Sequence, residues 1–473
     1  MGDVTGASRP DRSCFTMHLV VPSSSSGEKV LDMVVVAVGT TLAIVAGMVL
    51  NADGALDDPA ARSGRVHDLP GLGPTDTVQY AGYVDLDEQS AMFYWAFEHA
   101  DKTRPLVIWL QGGPGSSSLF GLFTENGPYT VDEHLRLHKR EHSWLRHASL
   151  LYVDNPVGTG FSYTDQGRYP TSEEQVASDF VRFLDGWFRQ HPQYLKVDLY
   201  ITGESYAGKF IPEISYRILE CNRGRSWPLT PALHVNLKGI AIGGPWVDPL
   251  TQIPAYTSYA FALGLLDGIQ KAAADDGMAK VVELISLARY NDSSFLWDDV
   301  ARGIYRAGGN FSPFDVRDFS SDVAEHDLPY ARWVSQPDAR KRLYVGSRAF
   351  SDGDAPYHAL RGDDMMTSLP CLAHALDNVR VLLFNGQFDW VCNHLGVQAL
   401  LTSADLQWAG KRQFASAPSK TWTVNNVTAG LVRSAASLTY VIVFNAGHMT
   451  PTDQPEHALD MIARFINGES FTS

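Results

Sequence analysis

A short apolar run, Leu199-Tyr200-Ile201, leads without a loop into Gly203-Glu204-Ser205-Tyr206-Ala207-Gly208, and an amphipathic stretch follows at once. A strand that turns straight into a helix around a serine set among small residues, in the manner of G-x-S-x-G, holds that serine in a strained, exposed conformation. Its hydroxyl then stands where a base and a carbonyl can both reach it. Ser205 is therefore the candidate nucleophile, and the unit implies a sheet whose strands alternate with helices.

The rest of the chain follows that alternation over two stretches. Leu106-Val107-Ile108-Trp109-Leu110 reads as a buried strand running into Gln111-Gly112-Gly113-Pro114-Gly115, and residues 149–153 read as another. Between 171 and 188, Val176, Phe180, Leu184 and Trp187 recur at helical spacing, with Ser172 and Gln175, or Thr171 and Glu174, as a capping box. Strand patterns return at 239–242, 379–384 and 439–444, and a last helix carries Leu459, Ile462 and Phe465 on one face. From 249 to 378 the alternation disappears. The boundaries expected are a leader at 1–32, an apolar segment at 33–50, a linker at 51–77, a core in two parts at 78–248 and 379–473, and an inserted cap at 249–378.

At 473 residues the chain is long enough for one large core with an insertion. A net charge of −15 argues against nucleic acid as a partner, because phosphate binding needs a basic face. Four cysteines, Cys14, Cys221, Cys371 and Cys392, have no zinc-site spacing, so neither a metal nor another cofactor is expected. Three of them fall in the folded part and permit at most one disulfide. Residues 33–50 are uncharged and apolar, at a length that suits either a signal sequence or an uncleaved anchor. Both readings send the chain into the secretory pathway. Sequons at Asn291, Asn310 and Asn426 agree with that destination.

A serine hydroxyl becomes a useful nucleophile only when an imidazole takes its proton, and the imidazole needs a carboxylate to fix its tautomer. Asp389 follows the strand at 379–384 through Asn385-Gly386-Gln387-Phe388, and His448 follows the strand at 439–444 through Asn445-Ala446-Gly447. The order Ser, Asp, His is that of an α/β-hydrolase. Backbone amides must meet the charge that develops on the carbonyl oxygen; Gly113 and Tyr206 are placed to supply them.

Four ordered motifs resemble the serine carboxypeptidase family: Trp109-Leu110-Gln111-Gly112-Gly113-Pro114-Gly115, Asp154-Asn155-Pro156-Val157-Gly158-Thr159-Gly160-Phe161-Ser162-Tyr163, the Ser205 segment through Lys209, and Gly447-His448-Met449 with Asp453-Gln454-Pro455. Vitellogenic-like members share the Gln111 and Asp154-Asn155-Pro156 forms. The resemblance implies an α/β-hydrolase core, a mostly parallel sheet flanked by helices with an inserted helical cap, and removal of single residues from peptide or protein C-termini. It assigns Gln111, Gly112, Glu125 and Glu204 to the substrate's terminal carboxylate. Two carboxyl groups beside a third cannot all stay ionised, which implies acid-favoured binding and a lysosome- or vacuole-like, or secreted, setting. Cys392 resembles a free thiol that some members carry near the substrate pocket.

Gln111 stands where many members have Asn, Ser116 where many have Cys, and Gly243-Gly244-Pro245 where Gly-Asn-Gly is usual; none of the three is expected to touch the triad. Two other functions fit the resemblance: acyl transfer to an alcohol or amine, and a protective or scaffolding role toward other lysosomal hydrolases. A membrane contact through residues 33–50 and a homodimer complete the expected partners.

Overall fold

The computed structural model describes residues 62–225, 234–320 and 324–472, together with four short strands in the first 61 residues. In that first unit Phe15–Met17 pairs with Met33–Val35 and Val49–Leu50 with Leu56–Asp57, both antiparallel. The remainder of the leader and of the apolar segment lies outside the described residues.

Residues 62 onward form a second unit around one twelve-stranded sheet. In chain order its strands are β1 (Ser63–Arg65), β2 (Gln79–Asp85), β3 (Ser90–Phe97), β4 (Leu106–Leu110), β5 (Ser149–Val153), β6 (Tyr163–Thr164), β7 (Leu199–Glu204), β8 (Leu237–Gly243), β9 (Arg380–Gly386), β10 (Lys420–Val424), β11 (Val427–Ala435) and β12 (Leu438–Val443). The spatial order is β10-β11-β12-β9-β8-β7-β4-β5-β3-β2-β1, with β6 on β3. The centre, β5-β4-β7-β8-β9-β12, is parallel throughout, and the strands added at both edges are antiparallel.

The central strands are continuous apolar runs because both faces of the sheet are covered. In β4 every residue is buried; Leu106, Ile108 and Leu110 enter the core on one face, Val107 and Trp109 that on the other. The first core takes its helical layer from α1 (Glu173–Gln190), α2 (Ala207–Asn222) and α3 (Leu369–Asn378), and the second from α4 (Pro455–Asn467). Val176, Phe180, Leu184 and Trp187 of α1 are all fully buried, as the helical spacing requires. The Ser172–Gln175 pair forms the cap: the Ser172 side chain accepts from the Gln175 amide and the Gln175 side chain accepts from the Thr171 amide, while Glu174 turns to Arg217.

Two stretches fold differently from their sequence reading. Ser63–Arg65, within the expected linker, pairs with Tyr80–Gly82 and extends the sheet edge. Within 249–378, helices such as Gly268–Ser286 and Tyr290–Ala307 stand over the sheet's carboxyl end, but α3 packs in the helical layer with α2. Leu369, Leu372, Ala375 and Leu376 put α3 in that core. Among the described residues no helix is long and apolar enough to cross a membrane. Among them, too, no cluster of metal-ligating side chains occurs.

Asp154, at the end of β5, holds this carboxyl edge together. Its carboxylate accepts from Ser117 Oγ (2.6 Å), the Ser118 amide (3.1 Å) and the Phe161 amide (2.8 Å). Gly160 must lack a side chain there, since a Cβ would fall 2.2 Å from the carboxylate. Burial pushes the pKa of Asp154 up to about 7 against those bonds. A raised folded value means stability present in acid and lost as pH climbs toward 7. The thermal midpoint should therefore fall between about pH 5 and about pH 7.5, and fall less in Asp154→Asn. Asp154→Ala should cost about 2–4 kcal/mol by urea unfolding at acid pH, because three donors lose their acceptor.

Candidate active site

Ser205, Asp389 and His448 each follow the carboxyl end of a parallel strand, where such sheets place their ligands. Ser205 follows β7 with φ of +62°, the left-handed region that a side chain enters only under constraint. The constraint is visible. Its amide donates to Gly243 O (2.8 Å), and its carbonyl accepts from the amides of Gly208 (2.9 Å) and Trp246 (3.0 Å). A Cβ on Gly203 would lie 2.2 Å from Leu110 O, and one on Gly208 2.6 Å from Trp246 O. The small residues around the serine are thus required by backbone approach, with Ala207 in the fifth position of the pattern.

Asp389 and His448 arrive from neighbouring strands whose loops are stitched together. The Gln387 amide donates to Val443 O (3.0 Å) and the Phe388 amide to Ala446 O (2.8 Å). The crossing is so close that a Cβ on Gly386 would lie 1.8 Å from Gly447 O. Asp389 is fully buried; Oδ1 accepts from the Cys392 amide (2.9 Å) and Oδ2 meets His448 Nδ1 (2.7 Å). That pairing puts the neutral ring's proton on Nδ1 and leaves Nε2 as the basic nitrogen. Burial alone would lower the pKa of His448, but Asp389, with Glu125 adding to it, outweighs burial and raises it.

The structure joins Asp389 to His448 but does not close a hydrogen bond from Ser205: His448 Nε2 is buried without a partner. Ser205 instead sits against the Cys392 thiol. Catalytic hydrogen bonds in free enzymes are often open and tighten with substrate. One sequence expectation is corrected here. Gly244 does touch the triad, since a Cβ on it would stand 2.8 Å from Asp389 Oδ2 and from His448 Nδ1. The loop after β8 therefore packs directly on the acid–base pair.

Gly112 brings the glycine-rich loop onto the elbow: a Cβ there would lie 2.6 Å from Ser205 Cβ and 2.7 Å from the Tyr206 nitrogen. Among the described residues the amides of Gly113 and Tyr206 donate to no other protein group. Gln111 is fixed at both ends, its Oε1 accepting from Trp109 Nε1 (2.8 Å) and its Nε2 donating to Glu204 Oε1 (2.6 Å). Glu125, on the turn Gly121–Asn126, adjoins Glu204, and both are buried. Three of the pair's four oxygens have no donor, which an ionised pair could not sustain. Burial, relieved in part by Glu204 and Gln111, pushes Glu125 up to about 7; burial and repulsion from Glu125 push Glu204 well above the carboxylate range.

On the other side of Ser205 lies a cavity walled by Gly113, Tyr206, Trp246, Tyr256, Trp297, Met365, Val391 and Cys392. Four of these, Trp246, Tyr256, Trp297 and Met365, went unread in the sequence because they belong to the cap or its approach, where no motif marks them. Cys221, Cys371 and Cys392 are free thiols. Asn291, Asn310 and Asn426 are exposed, Asn426 at the tight turn between β10 and β11.

The fold and this arrangement define an α/β-hydrolase. The sequence profile of the family described as "Serine carboxypeptidase" matches residues 70–468. The chain is 37% identical over 410 residues to a probable serine carboxypeptidase CPVL of Dictyostelium discoideum, covering 84% of this chain and 80% of that one. It is 36% identical over 405 residues to the venom serine carboxypeptidase of Apis mellifera, covering 83% and 85%. The human probable serine carboxypeptidase CPVL is 35% identical over 421 residues, covering 85% of each chain. In structure it is similar to Kex1Δp, a prohormone-processing carboxypeptidase from Saccharomyces cerevisiae, with a TM-score of 0.74 and 26% identity over 83% of this chain and 91% of that one. The chain belongs to the serine carboxypeptidase family and is a serine-type carboxypeptidase acting on peptides with free C-termini.

Two variants test the geometry. Asp389→Asn should leave the fold intact and lower kcat by about 10⁴-fold, because the wrong tautomer is held. Cys392 is 4% exposed beside Ser205, and burial pushes its thiol up, so it is a poor nucleophile that still blocks the site once modified. An organomercurial should inhibit the wild type and lose most of its effect in Cys392→Ser; undiminished inhibition would place the reactive thiol elsewhere.

Proposed function

We propose that Ser205 attacks the last peptide bond of a substrate, with His448 as base and Asp389 holding its tautomer. The serine proton passes to His448 Nε2 as Oγ bonds to the carbonyl carbon. The oxyanion that forms meets the Gly113 and Tyr206 amides. His448 then returns the proton to the departing amine, the C–N bond breaks, and an acyl-enzyme remains until water, activated by the same imidazole, hydrolyses it. The arrangement of the buried carboxyl pair beside Ser205 is what supports an exopeptidase reading over a general esterase.

Gln111, Gly112, Glu125 and Glu204 receive the terminal carboxylate. Protonated glutamates can donate hydrogen bonds to it, whereas ionised ones repel it. The sign follows from their raised pKa values, with Glu125 at about 7. Binding is strongest in acid and weakens as pH rises through that value. This acid preference, with three sequons whose asparagines are exposed, supports a lumenal or secreted setting reached through the secretory pathway. The apolar segment 33–50 would act there as signal or anchor.

Steady-state kinetics between about pH 4 and 8 should show KM for free-acid peptides rising at least about tenfold while KM for the matching C-terminal amides stays nearly flat. Glu125→Gln should flatten the free-acid curve. Equal pH dependence for acid and amide would overturn the carboxylate assignment. Ser205→Ala should lower kcat by at least about 10⁴-fold with either substrate.

A further inference from the structure

The ring of Tyr206 runs into a second group of buried acids that the chemistry above does not use. Its hydroxyl is buried and unpartnered, and it adjoins the side chain of Glu173, the first residue of α1. Glu173 is 5% exposed, and neither of its oxygens has a hydrogen-bond partner. Asp363, on the turn Asp363–Met365 where the cap returns, takes the Glu173 backbone amide and leaves Oδ2 unpartnered. Three orphaned polar groups from three separate stretches of chain therefore share one interior site. Burying them without hydrogen bonds would be costly, so the arrangement calls for a proton among them.

The charges around Glu173 can be counted by element. From α2 come Lys209, 1% exposed with Nζ donating to Met366 O (2.6 Å), and Glu213. From the cap return come Asp363 and, beyond it, Asp364, whose carboxylate accepts from Ser294 Oγ (2.6 Å) and the Gly362 amide (2.8 Å). Arg361 is held by Asp298 (3.0 Å), and on α1 itself Glu174 turns to Arg217 (3.4 Å). Arg217 also acts on Glu213 and Arg361 on Asp364, but Glu173 and Asp363 share the one ammonium of Lys209, too little positive charge to keep both ionised.

The location gives this cluster its consequence. Tyr206 carries one of the two amides aimed at the oxyanion, and Asp364 and Met365 wall the cavity beside Ser205. We propose that Glu173 is a positioning residue: its protonated carboxyl accepts from the Tyr206 hydroxyl and donates to Asp363, tying the nucleophile elbow to the cap return, and its ionisation breaks that tie. The inference rests on Tyr206 being an oxyanion donor. Burial, then repulsion from Asp363 and Glu213, raise the pKa of Glu173 against the pull of Lys209. The tie is therefore intact in acid and lost as pH rises.

An N-blocked amino-acid methyl ester is the substrate for the test, because it carries no terminal carboxylate to engage Glu125 and Glu204. Glutamine at 173 can make both hydrogen bonds and cannot ionise. Glu173→Gln should hold kcat within about threefold of wild type in acid and move its alkaline fall upward by about one pH unit. Glu173→Ala should lower kcat about tenfold with KM within about threefold, the signature of a misplaced oxyanion donor. A Glu173→Gln profile that falls with the wild-type limb overturns the proposal, and so does an alanine variant with wild-type kcat. Should Glu173→Ala fail to fold, the glutamine profile decides alone. Ser205→Ala, measured alongside, keeps the two readings apart: turnover there within about tenfold of wild type refutes the nucleophile assignment, whereas the Glu173 profiles bear only on the tie.

Discussion

Backbone crowding at the carboxyl edge of the parallel sheet is the constraint on which the site depends. Five loops meet there at separations that exclude a Cβ: Gly112 on Ser205, Gly203 on Leu110, Gly208 on Trp246, Gly244 on the Asp389–His448 pair, and Gly386 on Gly447. Each approach fixes one loop against another, so the position of the serine is set by packed backbone and not by its own rotamer. The left-handed turn at Ser205 is affordable only within that frame. A substitution at any of these glycines would move a reacting group without removing it.

Burial of acids is the second theme, and it appears around the site in three forms. Asp154 locks the loop after β5 to Ser117 and Ser118, just beyond the glycine-rich loop, through two hydrogen bonds, and a third from Phe161 closes its own loop. Glu125 and Glu204 adjoin beside Gln111, and Glu173 and Asp363 stand behind Tyr206. In each place desolvation is the largest influence and favours the neutral acid. A protein built this way binds protons on folding, so its stability weakens as pH rises, and the proposed grip on a terminal carboxylate and the proposed Glu173 tie would weaken in the same direction. Asp389 differs in that its oxygens have partners, the Cys392 amide on Oδ1 and His448 Nδ1 on Oδ2.

The central strands could be read from sequence because burial on both faces leaves an unbroken apolar run, as in Leu106-Val107-Ile108-Trp109-Leu110, and α1 because its one buried face repeats at helical spacing. The antiparallel edges were harder. Ser63–Arg65 is short, polar and half-exposed, so nothing distinguishes it from a linker before its partner strand is known. The helix Gly268–Ser286 buries only Met278, Val281 and Ile285, too thin a stripe to announce itself. The triad and the residues around Gln111 were legible because chemistry and tight turns restrict the residue types there. Trp246, Tyr256 and Trp297 were not, since an aromatic wall needs only bulk and shape, and many sequences supply those. An acid in a first helical turn is ordinary in a sequence, and only burial beside Asp363 and Tyr206 sets Glu173 apart.

The account's central claim is that Ser205 is activated by an imidazole that does not yet bond to it in the free protein. The most direct test is the rate at which a fluorophosphonate labels the folded enzyme, followed by intact mass and peptide mapping. One adduct is expected, on Ser205, forming at least about 10³-fold more slowly in His448→Ala and requiring the basic form of the imidazole. Labelling of a different residue, or of Ser205 at the same rate without His448, would contradict it.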